Sequence, residues 1–178
     1  MSVLIRKALV YDAQAIAKVH VDSWRTAYAS ILSSEFLASL SYEQRQKMWS
    51  SILSSPEGQS FVYVAESPDR QVVGFACAGP RREGDKVYHG EIYALYLLQN
   101  YQRQGLGRQL FRAAVAELNR RGLTSLLIWV LAANPARAFY EAMGGKYLSE
   151  KDIEIGGQRL IEVAYGWIDT RISLVSKS

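Results

Sequence analysis

The chain has 178 residues, 49% apolar and 21% charged, with a net charge of +4, ordinary values for one soluble globular domain with a sizeable core. No apolar run approaches the ~20 residues of a membrane span, and the single cysteine, Cys77, excludes an internal disulfide. One cysteine and two histidines, His20 and His89, supply no structural zinc pattern, so no metal is expected. The opening stretch MSVLIRKALV runs straight into polar sequence without a signal peptide's cleavage region, which predicts a cytoplasmic setting. Taken in chain order, VLIRKAL at 3–9 predicts a first strand, and Asp12 the N-cap of a helix with Ile16, Val19, His20, Trp24, Ala27 and Tyr28 at helical spacing. SSEFLASLS predicts a further capped helical turn after Ser33 or Ser34. SYEQRQKMWSSIL predicts a third helix whose apolar side is Met48, Trp49, Ile52 and Leu53. SFVYVAES and VVGFACAG read as two strands joined by a turn, with Cys77 as a buried small hydrophobe.

After the polar loop PRREGDK comes a long strand, VYHGEIYALYLL, and then NYQRQGLGRQLF, in which two glycines flank one leucine. Leu106, Leu110, Ala114 and Leu118, flanked by Phe111 and Val115, form the stripe of a helix that Gly122 stops. TSLLIWVLA predicts a buried strand. NPARAFYEAMGG predicts a helix opening at Asn134 with Pro135 in its first position and closing at Gly144 and Gly145. KYLSEKDIEI, Gly156-Gly157 and QRLIEVAYGWI predict a β-hairpin, and DTRISLVSKS a partly mobile tail. The sum is a mixed α/β layered architecture without repeats or an internal linker.

The glycine stretch admits two readings, a tight strand-to-helix turn with solvated charges or a cradle for phosphate. A P-loop needs Lys-Ser/Thr after its last glycine, and Arg108-Gln109 stands there. The dinucleotide fingerprint needs a third glycine where Leu110 stands, and an acid on the next strand that TSLLIWV does not supply. Glycines let a backbone approach a ligand closely, and free N–H groups at a helix start favour an anion. Arg103, Arg108, Arg112, Arg120 and Arg121 cluster here against Glu117 alone. Without a basic tail or a nucleic-acid-binding signature, that patch predicts no nucleic-acid partner.

Gln102-x-x-Gly105-x-Gly107 after a long strand resembles the GNAT superfamily of acyl-CoA-dependent N-acetyltransferases. GEIYALYLLQNYQRQGLGRQLF looks like that family's strand, pyrophosphate loop and helix. LLIWVLAANPARAFYEAMGGK looks like its next strand and helix, and HVDSWRTAYASILSSEFLASLS is similar to its acceptor-side helical cap. With the hairpin, the likeness spans nearly the whole chain in order. It implies a mostly antiparallel seven-stranded sheet flanked by helices, with splayed fourth and fifth strands and a bulge in the fourth. It also implies a single acetyltransferase domain over 1–168, followed by a tail at 169–178.

The implied activity is direct transfer of the acetyl group of acetyl-CoA to a primary amine of a small molecule or a peptide N-terminus, without a metal or a membrane. A non-catalytic acyl-CoA sensor is the alternative, and a homodimer is a family expectation. The coenzyme would lie on the loop Gln102, Arg103, Gln104, Gly105, Leu106, Gly107 and Arg108, with the main chain of Leu97 and Leu98 along its arm. Asn134, Arg137 and Tyr140 would complete that side. Many members carry a proline shortly before the loop where this chain has Gln99-Asn100, a departure of little weight because the contacts are to backbone. Tyr140 matches the family's general acid at the sulfur, and Glu91 is the candidate base or ammonium anchor, with His89 and His20 behind it. Trp24, Tyr28, Glu91 and Tyr93 would wall the acceptor, with Trp129 on the next strand and Asp22 as another anchor for a cation. Nothing in the sequence selects the amine.

Overall fold

A computed structural model describes residues 2–55, 59–83 and 87–173. Strand β1 (Leu4–Lys7) leads through a single 3-10 turn into α1 (Ala13–Ala27), α2 (Ser34–Ser39) and α3 (Tyr42–Ser54). Next come β2 (Phe61–Glu66), β3 (Val72–Pro80) and β4 (Gly90–Leu97). They are followed by α4 (Leu106–Arg120), β5 (Leu126–Leu131) and α5 (Arg137–Ala142). The hairpin β6 (Lys146–Ile155) and β7 (Gln158–Trp167) precedes a last short turn, α6 (Thr170–Ser173). Gly156 and Gly157 both have positive φ, +57° and +76°, as a two-residue hairpin turn of the primed kind requires.

The strands form one seven-stranded sheet in the order β1-β2-β3-β4-β5-β7-β6. Neighbours are antiparallel except β4 and β5, which run parallel. That parallel pairing holds only at Gly90↔Leu126 and Glu91↔Leu127. Beyond it, β5 pairs along its length with β7, while β4 stays with β3 as far as Leu97. The two strands part where β4 carries a bulge: Cys77 faces Ala94 and Ala78 faces Ile92, leaving Tyr93 without an opposite number. The expected splay and bulge are therefore both present.

Helices cover both faces of the sheet. On one, α1 and α3 bury Ile16, Val19 and Trp49 against Val64 and Phe75. On the other, the α4 stripe Leu106, Leu110, Phe111, Ala114, Val115 and Leu118 meets Ala76, Ile92 and Ile128. Ser33 and Ser41 accept hydrogen bonds from the N–H groups of Phe36 and Gln44 and so start α2 and α3. Two expected helix starts need correction. Asp12 does not cap α1; its carboxylate accepts the Leu9 N–H at 2.7 Å and both Nη atoms of Arg6 at 2.7 and 2.9 Å. A close guanidinium satisfies it better than one helix amide. Nor is Pro135 the first residue of α5, which begins at Arg137 after a tight turn in which Asn134 Oδ1 accepts the Ala136 N–H at 2.9 Å.

In the segment expected to be a tail, Thr170 is buried, its N–H bonded to the Thr124 carbonyl at 2.9 Å and its hydroxyl to Asn119 at 2.6 Å. Residues 174–178, and 84–86 of the polar loop, lie outside the described residues. Among the described residues no helix is long and apolar enough to cross a membrane.

The end of α5 is seated tightly, because a Cβ on Gly145 would come within 2.6 Å of the Trp167 ring and 3.0 Å of the Tyr140 carbonyl. Trp167 is itself buried and donates Nε1–H to the Met143 carbonyl at 3.0 Å. Gly145→Ala should therefore cost about 1–3 kcal/mol, read as a lower urea midpoint at unchanged slope; an unchanged midpoint would contradict this packing.

Candidate functional site

The parting of β4 and β5 opens a cleft of about 1090 Å³ that passes through the sheet from the α4–α5 side to the α1–α2 side. In a strand, main-chain groups point alternately to the two edges. The Leu98 N–H goes to the Val73 carbonyl at 2.9 Å, on the β3 edge, so the N–H and carbonyl of Leu97 face the gap. The Leu97 carbonyl takes Gln102 Nε2 at 3.1 Å, which ties the strand end to the glycine loop. Of the two leucines expected along the coenzyme arm, Leu97 is so placed; the Leu98 N–H is committed to β3, a correction that follows from alternation alone.

The loop reaches α4 through two left-handed residues, Arg103 at φ 61° and Gly105 at φ 79°. No side chain caps the helix, and its first backbone bond runs from the Gln109 N–H to the Gly105 carbonyl. The amides of Leu106, Gly107 and Arg108 thus have no helical partner and carry the positive end of the helix dipole. Gln102, Arg103, Gly105, Gly107 and Arg108 line the cleft. A Cβ on Gly107 would sit 3.5 Å from Leu97 and 3.7 Å from Phe139, across the mouth of the gap. Leu106 instead buries its side chain in the core, and Gln104 braces the loop through the Asn100 carbonyl at 2.9 Å. Arg137 does not join them: it turns to the Tyr165 hydroxyl at 3.0 Å and the Ala132 carbonyl at 3.2 Å, outside the cleft. Arg120 and Arg121 close on Glu117 at the far end of α4, about 20 Å from its start, which breaks up the arginine patch.

Deeper in, Asn134 and Tyr140 line the same cleft, both buried. Burial, with the Tyr28 phenol nearby, pushes the Tyr140 hydroxyl well above the ordinary phenol range, so it stays protonated. Tyr28 and Tyr96 meet hydroxyl to hydroxyl at 3.2 Å beside it. Tyr96 was not foreseen as a site residue. Strict alternation puts it on the face opposite Glu91 and Tyr93, but the bulge shifts the register and brings it round to theirs.

The α1–α2 side holds the residues expected to wall an acceptor. Trp24 and Tyr28 meet edge to face at 4.8 Å, and with Glu91, Tyr93 and Trp129 they line the cleft. Arg82, also unforeseen, organises this wall. Its Nη2 and Nε reach Glu91 Oε1 at 2.5 and 3.2 Å, its main-chain N–H reaches Oε2 at 3.1 Å, and its guanidinium lies 4.6 Å above the Tyr93 ring. The Tyr93 hydroxyl donates to the Pro80 carbonyl, and burial pushes it up to about 12. The loop position of Arg82 gave no signal in the sequence. Asp22 pairs with Lys18 and Tyr42, and neither it nor His89 lines the cleft. Burial holds the Cys77 thiol up at about 12, so it is unreactive.

A diphosphate fits the uncapped amides with Arg103 and Arg108, and an extended arm bearing amides fits the strand edge at Leu97, so the donor set suits coenzyme A. Among the described residues no group of metal-ligating side chains is present. The sequence profile of the acetyltransferase (GNAT) family matches residues 19–145. Over 167 residues, 94% of each chain, the protein is 42% identical to an uncharacterized N-acetyltransferase, YuaI, of Bacillus subtilis. It is 26% identical over 149 residues, 82% of this chain and 89% of the relative, to a spermidine N(1)-acetyltransferase of Thermoplasma acidophilum. The fold matches the crystal structure of the PaiA N-acetyltransferase of that organism in complex with coenzyme A, at a TM-score of 0.71 and 21% identity, covering 94% of this chain and all of that one.

His20 is buried among Trp24, Trp49, Phe75 and Tyr96, and its Nδ1 accepts the Trp49 indole N–H at 3.2 Å. Burial first, then the Arg45 charge, holds its imidazole down at about 3 from an ordinary 6.5, so it is neutral and structural. Between those values the unfolded chain binds a proton that the folded chain refuses. Stability therefore falls as pH drops through the window from 6.5 to about 3, by up to about 1.4 kcal/mol per unit. His20→Asn, which keeps an acceptor for Trp49, should show a shallower fall in urea-unfolding free energy across that window; an equal slope would contradict a buried neutral His20.

Proposed function

The chain belongs to the acetyltransferase (GNAT) family, and from that premise we propose that it moves the acetyl group of acetyl-CoA directly to a primary amine, on a small molecule or at a peptide N-terminus. The observation that carries this reading is the gap between β4 and β5, open to uncapped helix amides at one end and walled by aromatic and acidic side chains at the other. Acetyl-CoA, when bound, supplies an acyl group activated as a thioester. The amides of Leu106 to Arg108 and the side chains of Arg103 and Arg108 hold its phosphates. The Leu97 main chain lines up its arm, and an N–H on that edge polarises the thioester carbonyl.

The amine enters from the α1–α2 side, past Trp24 and Tyr28, and reacts only once its ammonium has lost a proton. Glu91, whose oxygens already take three N–H groups of Arg82, is read as part of the acceptor wall, and the proton as leaving to water in the open cleft. Tyr140, a buried phenol that lines the cleft, is read as the donor that meets the departing sulfur. The spermidine acetyltransferase among the relatives makes a small organic cation a reasonable acceptor.

Tyr140→Phe should lower kcat about a hundredfold or more while leaving acetyl-CoA affinity nearly unchanged, measured by thiol release and by calorimetry. A fully active variant removes Tyr140 from the chemistry. Gly107→Val, which puts two methyl groups across the mouth toward Leu97 and Phe139, should weaken acetyl-CoA binding tenfold or more on the order of a lost backbone contact. Parental affinity in a folded variant would contradict the cradle.

A further inference from the structure

The acceptor end of the cleft holds one carboxylate that the fold does not use. Glu162 stands on β7, opposite Leu131 of β5 and Lys151 of β6. It is half-buried and lines the cleft on the same side as Trp129 and Glu91. The two cations that act on it are already paired. Arg82 closes on Glu91 at 2.5 Å, and Lys151 reaches Glu83 at 3.8 Å with its ammonium 4.2 Å above the Trp129 ring. Among the described residues the Glu162 carboxylate makes no hydrogen bond and no ion pair. A carboxylate drawn out of water without a partner is destabilising, and a cation that arrives with the substrate removes that penalty. Its surroundings show the tension: burial pushes its carboxyl up, Lys151 and Arg82 draw it down, and Glu91 and Glu83 push it up again.

Resting on the acetyl-transfer reading above, we propose that Glu162 binds a second nitrogen of the acceptor, one that stays protonated, so that the substrate is a diamine or a longer aliphatic polyamine. The two nitrogens divide the work. The reacting one must be neutral when it attacks, so it is a poor partner for a carboxylate. The other remains an ammonium and pairs with Glu162. The carbon chain between them lies along the apolar ring surfaces of Trp24 and Tyr28, which line the cleft.

Putrescine and n-pentylamine, equal in length and differing in one terminal nitrogen, separate these roles. Each is titrated calorimetrically into the full chain saturated with coenzyme A, and thiol release from acetyl-CoA is followed in parallel. The parent should bind putrescine more tightly. Glu162→Gln should cut that preference on the order of tenfold or more, the range for a hydrogen bond between charged groups, and Glu162→Asp should keep part of it. Equal binding of the two amines by the parent overturns the assignment, as does an undiminished preference in a Glu162→Gln protein that melts like the parent. A Glu162-dependent preference without thiol release for either amine upholds the anchor and rejects acetyl transfer. Thiol release that favours neither amine upholds transfer and rejects the anchor.

Discussion

A sheet interior tolerates unpaired main-chain donors and acceptors only where something else will meet them. Here β4 and β5 pair at two positions and then separate, exposing the Leu97 edge of β4 inside the sheet rather than at its rim. The parting coincides with the bulge at Tyr93, beyond which β4 keeps its pairing with β3 while β5 pairs along its length with β7. Everything proposed for the site depends on that parting. It makes the hole through the sheet, leaves a strand edge to guide an extended ligand, and carries Tyr96 onto the acceptor face.

The two ends of the hole differ in charge for local reasons. At the α4 end, a left-handed entry through Arg103 and Gly105 leaves helix amides uncapped beside exposed arginines, so the field there suits phosphate. At the α1–α2 end, Arg82 is paired with Glu91 and Lys151 with Glu83, while the Glu162 carboxylate has no ion pair of its own and so suits a cation. The reaction proposed above would bring an anionic donor and a cationic acceptor in from opposite faces, toward the phenol groups of Tyr140, Tyr28 and Tyr96 at the centre.

Much of this was legible in the sequence because it follows from short-range rules. The α4 stripe, the serine cap of α2, the Gly-Gly hairpin and the glycine loop each announce themselves within a few residues, and each stands where expected. The failures share one cause, competition from partners that the local helix or strand pattern does not include. Asp12 looks like a cap until Arg6 claims it, and Arg137 looks like a phosphate ligand until Tyr165 takes it. Tyr96 is hidden by a one-residue bulge that reverses the alternation. Arg82 and Glu162, in a loop and on the last strand, acquire meaning only when the sheet order sets them across the same cleft.

The central claim is that the parted edge of β4 is a binding edge, and residue-resolved amide hydrogen exchange with and without coenzyme A tests it most directly. The Leu98 amide, bonded to Val73, should be protected in both states, whereas the Leu97 amide should exchange readily in the free protein and slow markedly once coenzyme A is bound. A Leu97 amide already protected in the free protein, or unmoved by saturating coenzyme A, would contradict the account.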